Sequence, residues 1–170
     1  MREDCALNII LIGMPGAGKS TVGVLLAKRL GYHFVDTDLL LQTSQQCRLQ
    51  QIIAQLGLEA FKDIEAEALC SLEATHSVIA TGGSAVYSER AMSHLKKLGQ
   101  LVFIDIPLEE LLNRVNDMDN RGLVIGPGET YGHLYEERQP LYNKYAELTI
   151  SGEGLTVENV AAAIEQSVCG

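Results

Sequence analysis

The stretch LIGMPGAGKST, Leu11–Thr21, holds three glycines and one lysine between a short apolar run and a helix-like segment. Its core, Gly13–Ser20, fits the pattern G-x-x-x-x-G-K-S/T in full. Glycines let such a loop curl until successive backbone N–H groups point inward, where they bind phosphate oxygens. A glycine-rich turn with a surface lysine is the plain alternative. The full motif between a strand and a helix favours a phosphate-binding loop.

The lysine and the serine of this loop have separate roles. Lys19 supplies a positive charge for the outer phosphates, and the hydroxyl of Ser20 is placed to ligate Mg²⁺. The helix that begins near Lys19 presents its positive end to the same anion. We therefore predict a nucleoside triphosphate site. Its candidate residues are Gly13, Pro15, Gly16, Ala17, Gly18, Lys19, Ser20 and Thr21.

Composition excludes several classes of protein. The chain has 170 residues and a formal net charge of −9, whereas a nucleic-acid binder normally carries a basic field. No apolar stretch approaches the roughly 18 residues that a membrane span needs. The four cysteines lack metal-ligand spacing, which indicates reduced thiols. We expect a single domain over residues 1–170, a cytoplasmic monomer with a small-molecule substrate and no nucleic-acid or membrane partner.

Apolar strands alternate with helical segments along the chain, which predicts an α/β fold in three layers around a five-stranded parallel sheet. Ligands of such sheets bind at the carboxyl ends of the strands. The predicted strands are Asn8–Ile12, His33–Val35, Ser77–Ala80, Leu101–Ile104 and Glu147–Ile150. The predicted helices are Lys19–Leu30, Leu39–Gln45, Leu49–Leu56, Glu59–Glu73, Ser88–Leu98, Leu108–Val115, Tyr131–Tyr145 (which Pro140 should bend or divide) and Val157–Val168.

Two carboxylates follow the second predicted strand, in Phe34–Asp38. Strand alternation would place Asp36 and Asp38 on the same side at the ligand edge. One carboxylate could hold magnesium-bound water, and the other could orient an attacking hydroxyl or accept its proton. A solvated acidic turn is the alternative, which the neighbouring phosphate loop disfavours.

Glycines and basic residues complete the candidate site. Gly82 and Gly83 end the third strand, where they allow a ligand to approach the backbone closely; a simple turn is the alternative. The segment 116–130 has four glycine or proline residues and little apolar periodicity, as in a mobile lid. An arginine in such a lid, Arg121, would neutralise charge on a transferring phosphoryl group. Lys62, Arg114 and Arg138 also fall near the ligand edge, although any one of them could be a solvated surface residue.

In this order the motifs resemble those of the shikimate kinases, a family of P-loop kinases similar to the nucleoside monophosphate kinases. The resemblance runs from about residue 8 to residue 164. It rests on GMPGAGKSTVG, FVDTD, GLEAFKDIE (against the family's G-E-x-x-F-R-x-x-E), ATGGS, RGLV (against R-P-L-L) and ERQPLY (against E-R-x-P-L-Y).

This resemblance implies transfer of the γ-phosphoryl group of ATP to the 3-hydroxyl of shikimate, with Mg²⁺ as cofactor. It implies that Ser20 and Asp36 serve the metal and that Asp38 holds the acceptor hydroxyl. Arg121 would close onto the phosphates with the lid, and Arg114 would pack against adenine, with the segment 151–155 over the other side of the base. Lys62 and Arg138 would bind the carboxylate of the acceptor, and Gly82 and Gly83 would line its pocket. The implied acceptor residues are Asp38, Lys62, Gly82, Gly83, Ser84 and Arg138, and we expect a substrate-binding segment at about residues 37–66.

Four residues depart from the family pattern. Lys62 replaces an arginine and cannot make a planar two-point contact with a carboxylate. Ser84 replaces a third glycine, Leu58 replaces a glutamate, and Gly122 replaces the lid proline. Because Lys62 and Ser84 belong to the implied acceptor pocket, another small hydroxy acid, a sugar acid or an amino-acid alcohol remains an alternative acceptor. A nucleotide-binding regulatory switch or a nucleoside monophosphate kinase would carry the same phosphate loop, so these two functions also stay open.

Overall fold

The computed structural model describes residues 7–117 and 125–170, and the elements below are those of the described ranges. The strands are β1 (Asn8–Ile12), β2 (His33–Asp36), β3 (Ser77–Ala80), β4 (Gly99–Asp105) and β5 (Leu148–Ser151). The helices are α1 (Lys19–Leu30), α2 (Thr37–Gln45), α3 (Leu49–Leu56), α4 (Leu58–Cys70), α5 (Glu89–Leu98), α6 (Leu108–Asp117), α7 (Tyr131–Tyr145) and α8 (Val157–Cys169).

All five strands form one parallel sheet in the order β2-β3-β1-β4-β5, which confirms the predicted architecture. Every residue of β1 and β3 is buried, as continuous apolar strands in a parallel sheet require. Helix α1 packs against α8, and α5 packs against α4. The central strand β1 runs directly into the phosphate loop, so the loop lies at the carboxyl edge of the sheet.

At the amino ends of the strands, opposite the phosphate loop, one polar side chain holds three strands together. The amide nitrogen of Asn8 donates to the carbonyl oxygens of Ala74 at 2.7 Å and Leu98 at 2.9 Å, and its oxygen accepts from the N–H of Ser77 at 2.9 Å. Asn8 is itself buried. It therefore holds the starts of β1, β3 and β4 in register.

Helix and strand ends agree with the sequence in most places and differ in a few. Gly31 ends α1 in the left-handed conformation, as its position predicts. Gly99 ends α5 as expected, but it also begins β4, two residues before the predicted start, because it pairs with Asn8. A short 3₁₀ turn over Ala85–Tyr87, which the periodicity did not indicate, follows the glycine pair.

The predicted placement of Asp36 and Asp38 on one side of a strand is wrong. The strand β2 ends at Asp36, and Asp38 lies in the first turn of α2. The carboxylate of Asp36 accepts the N–H groups of Asp38 and Leu39, so it caps the helix and ends the strand. Both carboxylates remain at the ligand edge, but the helix cap rather than strand alternation places them there.

Helix α7 continues through Pro140 from Tyr131 to Tyr145. The predicted lid at 116–130 falls partly outside the described residues, and Arg121 and Gly122 lie there entirely. Its described end forms a turn in which the N–H of Glu129 donates to the carbonyl of Gly126 at 3.1 Å. A search of the described helices finds none that is both long enough and apolar enough to cross a bilayer.

Candidate functional site

The phosphate loop has the backbone that its glycines predict. Gly13, Gly16 and Gly18 have φ angles of 149°, 86° and 89°, which side-chain-bearing residues rarely adopt. The Nζ of Lys19 donates to the carbonyl oxygens of Gly13 at 2.7 Å and Met14 at 2.8 Å. Burial lowers the pKa of Lys19 to about 8. The lysine is thus a buried cation held inside the loop, which is where a phosphate would meet it.

Ser20 and Asp36, the two candidate metal ligands, lie together. The hydroxyl of Ser20 donates to the carboxylate of Asp36 at 2.8 Å. Two oxygen ligands beside a phosphate loop are the donor set that Mg²⁺ prefers. The described residues therefore fit the ion that the sequence implies.

A cavity of about 300 Å³ opens beside the loop, and residues of both the predicted nucleotide site and the predicted acceptor site line it. Its walls come from the loop, the first turns of α1 and α2, the end of β3 and helices α3, α4 and α7. The lining residues are Pro15, Gly16, Gly18, Lys19, Ser20, Thr21, Asp38, Leu49, Phe61, Glu65, Thr81, Gly82, Gly83, Ser84 and Arg138.

Arg138 projects into this cavity from α7 and is only 2% exposed. None of the ion pairs found among residues 7–117 and 125–170 includes it. A Cβ atom on Gly83 would lie 2.7 Å from its Nη1, so the guanidinium rests on the bare backbone of that glycine. A buried cation without an anionic partner is costly, and a bound anion would remove that cost.

The same glycine pair faces the carboxylates. A Cβ atom on Gly82 would lie 2.7 Å from Oδ1 of Asp38 and against Oε1 of Glu65. Burial raises the pKa of Asp38, and the nearby charge of Asp36 raises it further. The two glycines therefore leave the backbone open at the place where a carboxylate and a guanidinium both face the cavity.

Glu65 is a site residue that the sequence analysis did not assign, although it ends the quoted stretch GLEAFKDIE. It is 2% exposed, and its Oε2 accepts a hydrogen bond from the hydroxyl of Ser84. Its Oε1 has no hydrogen-bond partner among the described residues. Burial raises the pKa of this carboxyl to about 7. Glu65 lies three residues after Lys62 on α4, and this helical spacing could have indicated that the two side chains share one face.

Lys62 does not line the main cavity. Its Nζ lies 3.5 Å from Oε1 of Glu59 and 4.6 Å from the centre of the Tyr87 ring, in an adjoining cavity. Lys62 and Arg138, which the resemblance pairs on one carboxylate, line different cavities, but both contact the ring of Tyr87. The role of Lys62 as an acceptor ligand stays a prediction.

On the other side of the loop, Arg114 reaches the loop from α6. Its Nη1 donates to the carbonyl of Gly16 at 3.3 Å, and its Nη2 donates to Glu110 at 2.6 Å. The other carboxylate oxygen of Glu110 accepts the N–H of Gly154 at 3.1 Å. Glu110, which sequence reasoning missed, thus joins Arg114 to the segment 151–155 that the resemblance places over the base.

Two tyrosines of α7 donate hydrogen bonds to loops of the site. The sequence analysis assigned a role to neither, although Tyr142 ends the quoted motif ERQPLY. The hydroxyl of Tyr131 donates to the carbonyl of Pro15 in the phosphate loop. The hydroxyl of Tyr142 donates to the carbonyl of Gly83 at 2.9 Å. Helix α7 therefore fixes the donor loop, the acceptor glycines and Arg138 relative to one another.

Comparisons with known proteins agree with this geometry. The family model described as shikimate kinase matches residues 15–169. The chain is 38% identical over 168 residues to a shikimate kinase of Synechococcus sp. (strain RCC307), covering 96% of this chain and 85% of that protein. It is 38% identical over 160 residues to one of Thermodesulfovibrio yellowstonii, covering 92% of each.

Solved structures show the same likeness. A shikimate kinase from Acinetobacter baumannii in complex with shikimate matches with a TM-score of 0.86 and 31% identity, over 96% of this chain and 93% of that one. A shikimate kinase from Aquifex aeolicus matches with a TM-score of 0.78 and 34% identity, over 96% and 100%. The resemblance that the motifs carry is confirmed: the chain belongs to the shikimate kinase family.

Proposed function

We propose that this protein transfers the γ-phosphoryl group of ATP to the 3-hydroxyl of shikimate. The observation that carries the proposal is the buried guanidinium of Arg138, which has no ion pair among the described residues and faces a cavity shared with a complete phosphate loop. A cation in that position suits an acceptor that bears a carboxylate. Membership of the shikimate kinase family supports this choice of acceptor and of ATP as donor.

The donor side binds the nucleotide. The N–H groups of the loop and the Nζ of Lys19 bind the β- and γ-phosphates, and Lys19 remains close enough to follow the charge that moves with the phosphoryl group. Ser20 and Asp36 would hold Mg²⁺, and the ion would neutralise charge on the phosphates. Arg114 and the segment 151–155 enclose the base. From the sequence alone, we propose that Arg121 adds a further positive charge.

The acceptor side binds and orients the hydroxy acid. Arg138 binds the carboxylate, and the open backbone at Gly82 and Gly83 lets the ring approach. Asp38 accepts a hydrogen bond from the attacking hydroxyl and takes its proton as the new P–O bond forms. The bond between the γ-phosphorus and the oxygen that bridges it to the β-phosphate breaks in the same step, and ADP leaves. Glu65 and Ser84 close the wall of the pocket. Holding both reactants in one cavity converts the transfer into a step within a complex.

An acceptor screen tests this proposal. With ATP and Mg²⁺ fixed, ADP release is measured with shikimate, other hydroxy acids, sugar acids, amino-acid alcohols and nucleoside monophosphates. We expect shikimate to give the highest kcat/KM. ADP release that does not depend on any acceptor would instead indicate a nucleotide switch and contradict the proposal.

A second candidate acceptor, another small hydroxy acid, is favoured by two observations. Lys62 lies outside the main cavity, and the hydroxyl of Ser84 is bound to Glu65. The pocket therefore differs from the family pattern at two of its implied residues. The variant Lys62→Arg/Ser84→Gly restores that pattern. If these residues have shifted the preference, kcat/KM for shikimate rises by about tenfold, or ~1.4 kcal/mol, in this variant; an efficient wild type that the change leaves unimproved excludes the shift.

A further inference from the structure

Tyr87 ends the 3₁₀ turn that follows the glycine pair, and its ring contacts two cations. The Nζ of Lys62 lies 4.6 Å and the Cζ of Arg138 5.2 Å from the ring centre. An aromatic face attracts cations at such distances through its quadrupole. One half-buried side chain thus contacts both of the cations that the sequence assigns to the acceptor.

The hydroxyl of Tyr87 connects Arg138 to a carboxylate on the surface. It accepts a hydrogen bond from Nε of Arg138 at 3.1 Å and donates one to Oε1 of Glu137 at 2.6 Å. Burial raises the pKa of this hydroxyl above its ordinary value, so it stays protonated and neutral near pH 7. A neutral hydroxyl therefore lies between the carboxylate of Glu137 and the guanidinium.

This arrangement orients the guanidinium without neutralising it. A carboxylate in direct contact with Arg138 would compete with the carboxylate of an acceptor, whereas a tyrosine hydroxyl does not. The hydrogen bond from Nε–H to Tyr87 restrains the rotation of the planar group, and Nη1 lies beside Gly83 at the main cavity. Two-point binding of a carboxylate requires just such a fixed plane.

Lys62 makes the orientation of Arg138 more important. Its Nζ lies 3.5 Å from Oε1 of Glu59 and 4.6 Å from the centre of the Tyr87 ring, outside the main cavity, whereas Arg138 lines that cavity beside Gly83. We propose, on the basis of the function proposed above, that Tyr87 is a positioning residue that aims the guanidinium of Arg138 at the carboxylate of the acceptor.

The variant Tyr87→Phe tests this inference because it keeps the ring and removes the hydroxyl. We expect its KM for shikimate to rise by about tenfold, equivalent to ~1.4 kcal/mol. Its KM for ATP should stay unchanged, and its circular dichroism spectrum should stay native. The KM for the methyl ester of shikimate, which lacks the negative charge, should be the same in the variant and the wild type. Tyr145→Phe, the same change at the end of α7, is the matched control and should leave every value unchanged.

An unchanged KM for shikimate in Tyr87→Phe overturns the inference. An equal rise for shikimate, its methyl ester and ATP also overturns it, since that pattern indicates a general structural role. Calorimetric binding of shikimate separates this inference from the proposed function. A wild type that binds shikimate with Tyr87-dependent affinity but does not phosphorylate it contradicts the function and supports the inference; a wild type that does not bind shikimate overturns both.

Discussion

Lys19 and Arg138 are both buried cations in one cavity, but the protein treats their charges differently. The ammonium of Lys19 donates to two carbonyl oxygens of its own loop, and burial lowers its pKa to about 8. The guanidinium of Arg138 is held by the neutral hydroxyl of Tyr87. Each residue keeps a positive charge ready for an anion at a cost in folding stability, as expected at a functional site.

Replacing Lys19 should abolish turnover and leave the fold intact. In Lys19→Met the side-chain volume is nearly kept, and a buried charge is removed. We expect a native circular dichroism spectrum, an unchanged or higher melting temperature, and a loss of kcat on the order of 10²-fold, because a charge that stabilises the phosphoryl group is missing. Full turnover in this variant would refute the role of the loop in phosphoryl transfer.

Replacing Arg138 should weaken binding of the acceptor and leave binding of the nucleotide nearly unchanged. In Arg138→Met we expect binding of shikimate to weaken by about 2–5 kcal/mol, since the partner of a carboxylate is lost. The KM for ATP should change less than twofold, and the circular dichroism spectrum should stay native. A variant that loses ATP affinity and keeps shikimate affinity would show that the two pockets are assigned the wrong way round.

The carboxyl of Glu65 should make folding stability depend on pH. Burial raises its pKa from 4.5 to about 7, so between these values the folded protein holds a proton that the unfolded chain releases. Its contribution to stability is therefore fully present below about pH 4.5 and is lost as the pH rises through about 7. Glu65→Gln, which mimics the protonated form, avoids this loss.

Urea unfolding at pH 5 and pH 8 measures this effect. The stability of Glu65→Gln relative to the wild type should increase by on the order of 2 kcal/mol between the two pH values. The exposed Glu73→Gln serves as the control and should show no such change. A constant difference between Glu65→Gln and the wild type would mean that Glu65 is ionised in the folded protein throughout.

Among the helices and strands, the sequence predicts what depends on local pattern and misses what depends on contacts between distant segments. The continuous apolar runs predict all five strands, and the phosphate loop follows from its glycines. The position of Asp38 was predicted for the wrong reason, because the cap made by Asp36 starts α2 earlier than the apolar periodicity suggests. Glu65 and Tyr87 were missed because their partners, Ser84 and Glu137, are far away in the chain.

A mutation at the amino edge of the sheet should lower stability without changing catalysis at the carboxyl edge. Asn8→Leu removes three hydrogen bonds that join the starts of β1, β3 and β4 and leaves a buried N–H and two carbonyl groups unpaired. We expect a loss of ~3 kcal/mol in unfolding free energy. Because the site lies at the carboxyl edge, kcat and both KM values should change less than twofold at a temperature where the variant is folded.

Asn143→Leu, an exposed asparagine on α7, is the control and should leave stability within about 0.5 kcal/mol. A stable Asn8→Leu variant would show that the strands keep their register without this side chain. A large change in KM would show that the two edges are coupled.

Across the chain, the main feature is a local positive site in an acidic protein. The formal net charge is −9, yet Lys19, Arg114 and Arg138 all lie around one loop and one cavity. This concentration lets an acidic chain bind anionic small molecules while its net charge disfavours nucleic acid. The monomeric state expected from the sequence stays a prediction.

Phosphorus-31 NMR of the wild-type reaction with ATP, Mg²⁺ and shikimate tests most directly whether the cavity joins this donor to this acceptor. We expect ADP to appear only when shikimate is present, in equal amount with a single phosphate ester at the 3-hydroxyl of shikimate. Release of inorganic phosphate without an ester, or no reaction with shikimate while another hydroxy acid is phosphorylated, would contradict the proposed transfer.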